Sequence, residues 1–447
     1  MAYRFWLSIV AFMITGLCAC SQNRASIGGI PPTEQSAVSH TTQKISHVII
    51  MVQENRSFDN LFATYPGADG TTQGKIHTGG TIPLKETKLE SGLDLNNSWL
   101  AFGVDYDKGK MDGFDLVYVN GHRCYCAYQY VNPKQIGPYW SIAKQYVLAD
   151  HMFATQGSGS FTGHQDLIRG GTELNSSESI IDFPTDGPWG CDAPPGVVTT
   201  LLTSSDKYLK DKGPFPCFTW NTMRDLLDAK GVSWKYYTPN IHTHGGDLWN
   251  AFDAIKQVRY GSEWTSNISS PETNIFSDIT AGKLPEVSWV IPDGQNSDHP
   301  DQQGWGITTD TGPAWVAQVV NAVGQSPYWN SSVVVVTWDD WGGFYDHVAP
   351  PQLDYTGLGF RIPMLIVSPY AKPGYVSHTQ YEFASILKFV EQTFGLGSLG
   401  TTDVRANSIG DVFQFHKRAR PFVPIAAARS RAYFEHERPS HMPVDTN

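Results

Sequence analysis

Carboxylate and amide side chains stand directly after two of the most apolar stretches of the sequence. Glu54-Asn55 follows the run His47 to Val52, and Asp339-Asp340 follows the run Val333 to Trp338. Ligands of α/β sheets lie beyond the carboxyl ends of the strands, so both pairs stand where a site is expected. Buried carboxylates without a counter-charge are costly, and a cluster of them implies a cation. Oxygen ligands with one amide carbonyl suit a hard or borderline divalent metal.

Each pair also has a purely structural explanation. Glu54-Asn55 could cap a helix that begins near Ser57. Asp339-Asp340 precedes Trp341-Gly342-Gly343 and could form a turn. The two pairs together, both at the ends of very apolar runs, favour a shared site.

A stretch rich in glycine and serine, Gln156 to Gln165, lies between the two pairs. A turn of this composition can present a hydroxyl nucleophile such as Ser160. The stretch lacks the lysine of a phosphate-binding loop, and Ser160 is not the centre of a Gly-x-Ser-x-Gly elbow. On its own, a stretch of this kind is more often an ordinary loop. A third apolar run, Val287 to Ile291, is followed by acids and by His299.

These residues need a sheet to hold them, and the apolar runs supply one. Runs of strand length with no polar alternation predict strands buried on both faces, and they occupy 47–52, 233–237, 287–291, 333–338 and 364–367. Helical patterns at 219–230, 311–323 and 379–394 end at Gly231, Gly324 and Gly395. This alternation predicts an α/β fold with a central, mostly parallel sheet and helices on both faces. Segments 64–130 and 239–284 are polar and loop-rich, which indicates insertions around the sheet.

The first twenty residues have the layout of an export signal. Arg4 precedes an apolar run from Phe5 to Leu17, which is too short for a comfortable membrane span. The segment Leu17-Cys18-Ala19-Cys20 resembles a bacterial lipobox, with Cys20 as the lipid-carrying residue; the alternative is a plain signal peptide cleaved nearby. We therefore expect an exported, membrane-anchored lipoprotein with a signal at 1–20, a flexible tether at 21–45, one domain at 46–415 and a tail at 416–447.

The net charge indicates which kinds of partner to expect, and the cysteine content indicates which cellular compartment. The formal net charge of the 447 residues is -11 and no run of lysine or arginine occurs, which disfavours a nucleic-acid partner. A bound divalent cation can still reverse the local field for a phosphate substrate. The four cysteines beyond the leader, Cys124, Cys126, Cys191 and Cys217, allow two disulfides whose connectivity stays open. A metal-binding Cys124-x-Cys126 pair is the weaker alternative, because no second pair has zinc spacing.

Several motifs taken together resemble the bacterial phosphoesterase family that contains phosphatidylcholine-type phospholipases C and a class of acid phosphatases. The resemblance runs in order from about residue 46 to 415, and its segments are Glu54 to Phe62, Gly109 to Phe114, Gly159-Ser160-Phe161 with His164-Gln165, Asp298-His299-Pro300, Thr337 to Val348, and Arg361-Ile362-Pro363. The first segment and the segment from Trp338 to Val348 are highly specific, and the Ser160 segment is moderately so.

The resemblance implies an alkaline-phosphatase-like fold and a hydrolase of phosphate esters. It implies one divalent metal, of unknown identity, held by Glu54, Asn55, Asp339 and Asp340. Ser160 stands where the family places its nucleophile, which would form a phosphoserine intermediate. A histidine of near-neutral pKa would protonate the leaving alcohol, and His299 and His347 are the candidates. His164 and Asn97 are candidate substrate-binding residues, and the substrate would be a phosphorylated small molecule or a phospholipid.

One position departs from the family pattern. Asn97 stands where the family often carries a histidine, in the segment Asp94 to Trp99. An amide can donate to a phosphate oxygen, but it carries neither a proton to transfer nor a positive charge. His122 or His151 could substitute, although a surface or core role is the simpler explanation for each.

Three hypotheses compete at this point. The first is a metal-dependent phosphoesterase, either phospholipase C-like or acid-phosphatase-like, with monoester or diester preference open. The second is a catalytically weak or inactive surface lipoprotein that binds a phosphorylated ligand. The third, a sulfatase on a related fold, is disfavoured because no Cys/Ser-x-Pro-x-Arg sequence occurs.

Overall fold

A central sheet of eight strands forms the body of the protein. A computed structural model describes residues 44–90, 93–243, 245–300 and 310–438. The strands in chain order are β1 (His47–Gln53), β2 (Val147–Ala149), β3 (Trp234–Tyr237), β4 (Ile268–Ser269), β5 (Val287–Val290), β6 (Ser332–Trp338), β7 (Met364–Val367) and β8 (Tyr375–Ser377). Their order across the sheet is β4-β3-β5-β1-β6-β7-β2-β8.

All strands of this sheet except β7 run in the same direction. β7 pairs antiparallel with β6 and with β2, whereas every other neighbouring pair is parallel. The central strands β1 and β6 are buried along almost their whole length, as expected for apolar runs covered on both faces. The predicted α/β fold with a mostly parallel central sheet is confirmed.

Eleven helices are described, and the longer ones pack around the sheet. In chain order they are α1 (Phe58–Phe62), α2 (Trp99–Tyr106), α3 (Gly137–Gln145), α4 (Ser160–Arg169), α5 (Met223–Lys230), α6 (Lys256–Arg259), α7 (Glu263–Ser266), α8 (Asn274–Thr280), α9 (Thr311–Gly324), α10 (Phe383–Phe394) and α11 (Arg431–His436). Helix α3 packs on α9, and α4 packs on α10.

Two of the three predicted helices begin later than their apolar pattern indicated. Helix α5 starts at Met223 rather than at 219, because Thr222 and Asp225 form a capping box that fixes its first turn. Helix α10 starts at Phe383 rather than at 379, with Glu382 and Ser385 in the same arrangement. Gly231 and Gly395 end these helices in the left-handed conformation, as predicted. Helix α9 includes Gly324 as its last residue.

The two segments predicted as loop-rich insertions contain short regular elements. Segment 64–130 contains helix α2, several short strands and an aromatic cluster that includes Phe102, Phe114 and Tyr128. These strands are Gln73–Lys75, Thr81–Pro83, Tyr118–Val119 and His122–Arg123, and a further pair joins Lys85–Thr87 to Gln129–Val131. Within 239–284, strand β4 extends the edge of the central sheet. A separate antiparallel sheet is formed by Glu173–Asn175, Glu178–Ile181, Thr200–Thr203 and Tyr208–Leu209.

Both ends of the described chain are anchored more firmly than the sequence indicated. Ile45, in the predicted tether, is buried in the main core. The region after 415, which shows no core pattern in sequence, contributes Ile425 and Phe434 to the same core. Phe434 packs against Trp315 of α9 with ring centroids 5.5 Å apart. Isolated apolar residues anchor this segment, so it has no periodicity to detect.

The four cysteines form two disulfides, Cys124–Cys126 and Cys191–Cys217. The alternative of a Cys-x-Cys metal pair is therefore wrong, because both sulfur atoms are already bonded to each other. Helices long and apolar enough to cross a membrane do not occur among the described residues. The predicted signal with Cys20 and nearly all of the tether lie outside those residues.

Candidate active site

The two pairs of acidic and amide residues meet because their strands end side by side. β1 and β6 are parallel neighbours in register, with Gln53 opposite Trp338. The next residue of each strand therefore enters the same edge of the sheet. The Asp339 amide donates to the Gln53 carbonyl at 2.9 Å, and the Asn55 amide donates to Asp339 Oδ1 at 2.8 Å.

The loops after these strands are shaped for close approach. Asn55 adopts a left-handed backbone with φ 59°, a conformation that asparagine tolerates better than most residues. Gly342 has φ 61°, and a Cβ there would stand 2.2 Å from the Asn55 carbonyl oxygen, so the Trp-Gly-Gly sequence allows the two loops to touch.

The structure tests the two simpler explanations of these residues, a helix cap and a turn. Ser57, not Glu54 or Asn55, caps helix α1 by accepting from the Asn60 amide. The cap explanation of Glu54-Asn55 is therefore wrong. Asp340 does form a turn, since its Oδ1 accepts from the Gly342 amide at 2.6 Å. Its Oδ2 faces Ser160 instead, so the turn and the site coexist.

Ser160 is the first residue of helix α4 and lies between the two strand ends. Its Oγ is 3.3 Å from Asn55 Oδ1 and 3.3 Å from Asp340 Oδ2. Gly163, one turn on, brings α4 against the end of β6, because a Cβ there would stand 2.6 Å from the Asp339 carbonyl oxygen. A helix N-terminus carries unpaired amide donors and a partial positive charge, which favour a phosphate group beside Ser160. We call Glu54, Asn55, Ser160, Asp339 and Asp340 the site cluster.

The carboxylates of the site cluster lack protein partners for some of their oxygens. Glu54 Oε2 and Asp339 Oδ2 are buried without a hydrogen bond. Burial, and then the charge of Asp339, raises the pKa of both Glu54 and Asp340 well above the ordinary range. A divalent cation would satisfy these oxygens and offset the repulsion, so the predicted ligand set of Glu54, Asn55, Asp339 and Asp340 fits a metal.

His164 is buried against Glu54, one of the predicted metal ligands, and not on an open substrate surface. Its Nε2 is 2.9 Å from Glu54 Oε1, and Glu54, His164 and Asp339 can each offer a ligand atom within 4.8 Å of the others. Burial lowers the pKa of His164 to about 4, which keeps the ring neutral. A neutral ring with its proton on Nε2 would donate to Glu54 and fix that carboxylate.

Trp249 links His164 to His299. Its ring centroid is 6.5 Å from that of His164, at an interplanar angle of 12°, and 6.0 Å from that of His299, at an angle of 27°. The Ser297 carbonyl accepts from the Glu54 amide at 2.7 Å, so the segment carrying His299 borders the site cluster. Sequence reasoning missed Trp249 because it lies in the 239–284 insertion, where nothing in the sequence marked it.

Asn97 reaches the site cluster, as its alignment with the family's histidine position led us to expect. Its Nδ2 donates to Asp340 Oδ2 at 2.9 Å, and the residue is buried. Ser98, the next residue, caps helix α2 by accepting from the Ala101 amide. Asn97 therefore lies just before the first turn of α2.

His347, a candidate proton donor for the leaving alcohol, contacts Asp59 and Asp69, and its role in catalysis stays a prediction. Its Nδ1 is 2.7 Å from Asp59 Oδ2 and its Nε2 is 3.2 Å from Asp69 Oδ1. Arg361 lies beside it, 2.8 Å from Asp346 Oδ1. The place of His347 in the sequence, shortly after the strand-end acids, does not determine the direction of its side chain. We call Asp59, Asp346, His347 and Arg361 the arginine cluster.

The two substitute histidines do not join the site cluster either. His151 Nε2 is 3.3 Å from Asp69 Oδ2, next to the arginine cluster. His122 is exposed in the hairpin of Tyr118–Val119 and His122–Arg123. Asn97 therefore has no replacement among these histidines.

Comparisons with known proteins identify the family to which the chain belongs. The sequence profile of the Phosphoesterase family matches residues 45–397. The chain is 25% identical to Phospholipase C B of Mycobacterium tuberculosis (strain ATCC 25618 / H37Rv), over 89% of this chain and 82% of that protein. It is 25% identical to Non-specific phospholipase C4 of Arabidopsis thaliana, over 79% of this chain and 68% of that protein.

A solved structure of a protein in the alkaline phosphatase superfamily from Vibrio parahaemolyticus overlaps with a TM-score of 0.39 at 11% identity. The overlap covers 83% of this chain and 78% of that one. The family assignment does not depend on it, because the profile match alone spans most of the chain. The chain belongs to the Phosphoesterase family, and it is a hydrolase that acts on phosphate esters.

Proposed function

We propose that the protein cleaves phospholipids as a phospholipase C, with Ser160 as the nucleophile. The observation that carries this proposal is the position of Ser160 Oγ, 3.3 Å from Asn55 Oδ1 and 3.3 Å from Asp340 Oδ2, at the N-terminus of α4. A bound divalent ion, held by Glu54, Asn55, Asp339 and Asp340, would make the Ser160 hydroxyl more acidic and draw charge from the phosphoryl oxygens.

Ser160 Oγ attacks phosphorus in line with the diacylglycerol oxygen and loses its proton to solvent water. The new bond joins Oγ to phosphorus, and the bond from phosphorus to the lipid oxygen breaks. That oxygen leaves as an alcohol after taking a proton, for which we propose His299. Water then attacks the phosphoserine, which releases the phosphorylated headgroup and restores Ser160.

The surface of helix α2 supports a lipid substrate. Leu100 and Val104 are 55% and 41% exposed, and their spacing of four residues places them on one side of the helix. Asn97, three residues before Leu100, contacts Asp340 in the site cluster. A lipid surface in contact with α2 would therefore bring headgroups beside Ser160.

The first experiment measures which phosphate ester is cleaved. Substrates are a chromogenic phosphomonoester, dissolved short-chain phosphatidylcholine, and phosphatidylcholine vesicles, each with and without a chelator. We expect release of phosphocholine from both lipids, its loss on chelation, and no turnover by Ser160→Ala. Cleavage of the monoester alone would overturn the phospholipase proposal, and full activity of Ser160→Ala would overturn the mechanism.

A second experiment tests the surface of α2. We expect the double substitution Leu100→Ser with Val104→Ser to reduce hydrolysis of vesicles several-fold and to leave hydrolysis of dissolved lipid unchanged. Val404→Ser is the matched control, because Val404 is 70% exposed and lies outside the insertion that carries α2. An equal loss on both substrates would show that α2 does not contact lipid.

The alternative of an inactive, ligand-binding lipoprotein makes the opposite prediction. A protein of that kind would bind phosphocholine with the same affinity in the Ser160→Ala variant and would release no product from any ester. The buried, unpartnered oxygens of Glu54 and Asp339 suit a bound cation in either case, so release of product is the measurement that separates the two hypotheses.

We also propose that the protein is exported and held on a membrane by a lipid on Cys20. Two disulfides support an oxidising compartment, since such bonds are rare where thiols are kept reduced. Metabolic labelling with a radioactive fatty acid should mark the wild type and not Cys20→Ser. Label on both forms, or on neither, would contradict lipidation at Cys20.

A further inference from the structure

Trp249 lies on a segment that is tied both to strand β3 and to helix α4. The Tyr236 hydroxyl, near the end of β3, donates to the Trp249 carbonyl at 2.9 Å. Two residues further on, the Ala251 carbonyl accepts from Gln165 Nε2 of α4 at 3.0 Å. Gln165 directly follows His164, so this segment is fixed to the helix that carries the candidate nucleophile.

The indole ring of Trp249 is held in one orientation by its own loop. The residue is 2% exposed, and its backbone amide donates to the Gly245 carbonyl at 2.8 Å. Gly245 has φ 87°, and a Cβ there would stand 2.8 Å from two atoms of the indole ring. The loop backbone therefore lies directly against the ring, which leaves little room for another rotamer.

His164 depends on packing for its orientation. Its Nε2 is 2.9 Å from Glu54 Oε1, whereas its Nδ1 is buried without a hydrogen bond to any described residue. A ring that is held at a single nitrogen can still rotate about that hydrogen bond, so the contact on its face decides its plane. Trp249 supplies a stacked contact there, with ring centroids 6.5 Å apart and 12° between the planes.

The same indole ring also stacks on His299, with centroids 6.0 Å apart. One side chain thus contacts both the histidine that holds Glu54 and the histidine that would protonate the leaving alcohol. We propose that Trp249 is a positioning residue that keeps both rings in place; its action on His299 rests on the proposed function. Without the indole, His164 would be free to turn away from Glu54, and the metal site would weaken.

Mn²⁺ binding and steady-state kinetics test this role together. Mn²⁺ suits oxygen ligands, and the electron paramagnetic resonance signal of the free ion reports its binding. We expect Trp249→Leu to weaken Mn²⁺ binding by about tenfold, the lower end of the range for loss of a group that orients a metal ligand. For the phosphate ester that the wild type cleaves fastest, kcat should fall with KM little changed. Trp249→Phe keeps a smaller ring that can still stack, so its losses should be smaller but measurable, and it decides the question if Trp249→Leu does not fold.

Trp315→Leu is the matched control for loss of a buried indole. Trp315 is 1% exposed and packs against Phe276 and Phe434, with ring centroids 5.5 Å apart in each pair. Its substitution should lower the free energy of unfolding, measured by urea denaturation, and should leave Mn²⁺ affinity and kcat of the folded protein as in the wild type. A loss of Mn²⁺ affinity in Trp315→Leu equal to that in Trp249→Leu would overturn the proposal.

A double substitution separates an action through His164 from a general loss of packing. In His164→Leu the Mn²⁺ site is already weakened, so adding Trp249→Leu should weaken it much less than in the wild type. Equal losses in the two backgrounds, or wild-type Mn²⁺ affinity and kcat in Trp249→Leu, would overturn the role of Trp249 and leave the proposed function intact. Cleavage of a phosphomonoester alone would instead contradict the phospholipase proposal, and the Mn²⁺ affinities would still decide the role of Trp249.

Discussion

The site cluster and the arginine cluster are built alike and differ in one component. Both follow the ends of β1 and β6, and both gather buried acids from the two loops. In the arginine cluster, Arg361 lies 2.8 Å from Asp346 Oδ1 and 3.4 Å from Asp59 Oδ1, and it is fully buried with them. Guanidinium is the counter-charge of that cluster. The site cluster has no such group among the described residues, and two of its oxygens have no partner.

This contrast indicates which buried acids bear on function. Asp59, Asp346 and His347 also offer ligand atoms within 4.8 Å of one another, so proximity alone does not distinguish a metal site. Arg361 already supplies the charge there, and a metal would have to compete with it. We propose the site cluster as the functional one because two of its buried carboxylate oxygens have no partner, and not because of the number of its acids.

The largest expected effect comes from removing a charge from the site cluster. Glu54→Gln should lower esterase activity by at least about 10³-fold, as the loss of one member of a catalytic unit does. Its free energy of unfolding without metal should not fall, because a buried carboxylate with an unpartnered oxygen is gone. Steady-state kinetics and urea denaturation with chelator measure the two. A small loss of activity would show that Glu54 is not a metal ligand.

The opposite pattern is expected for the arginine cluster. Arg361→Met leaves Asp59 and Asp346 buried without their counter-charge, which should cost about 3–5 kcal/mol of unfolding free energy. Urea denaturation provides the measurement. Lys110→Met is the control, since Lys110 pairs with Asp107 on the surface and its loss should leave the unfolding free energy close to that of the wild type. If Arg361→Met is as stable as the wild type, the two clusters do not differ as we describe.

Metal removal should separate the clusters without any change to the chain. A ligand present at 100 times its Kd stabilises the folded state by about 2.7 kcal/mol, and chelation removes that contribution. Thermal unfolding of the wild type should therefore shift to lower temperature on chelation. Arg361→Met should show the same shift from its lower starting point, whereas Glu54→Gln should show little. A large shift in Glu54→Gln would place the metal elsewhere.

The sequence predicts where the strands and the site residues lie along the chain better than it predicts the direction of their side chains. Apolar runs located β1 and β6, and the acids after them meet because parallel neighbours end at one edge of the sheet. His347 follows the same strand but turns toward Asp59, a contact across 288 positions of sequence. Trp249 comes from an insertion with no periodic pattern. Long-range contacts of this kind depend on how loops fold back, which local patterns do not encode.

The smallest effect tests whether His347 serves stability rather than catalysis. Burial alone would lower the pKa of His347, but the hydrogen bond and charge of Asp59, with the charge of Asp346, outweigh it and raise the pKa above 6.5. The protonated ring is therefore favoured in the folded protein. Its contribution is fully present below pH 6.5 and is lost as pH rises through the folded-state pKa.

His347→Gln should reduce the free energy of unfolding by about 1 kcal/mol at about pH 6 and by less at about pH 9. Denaturation at the two pH values measures the difference between variant and wild type. Turnover of dissolved lipid should change little, because the hydrogen bonds of His347 lead to Asp59 and Asp69 and not to Ser160. A loss of turnover as large as that of Glu54→Gln, with stability unchanged at both pH values, would show that His347 acts in catalysis.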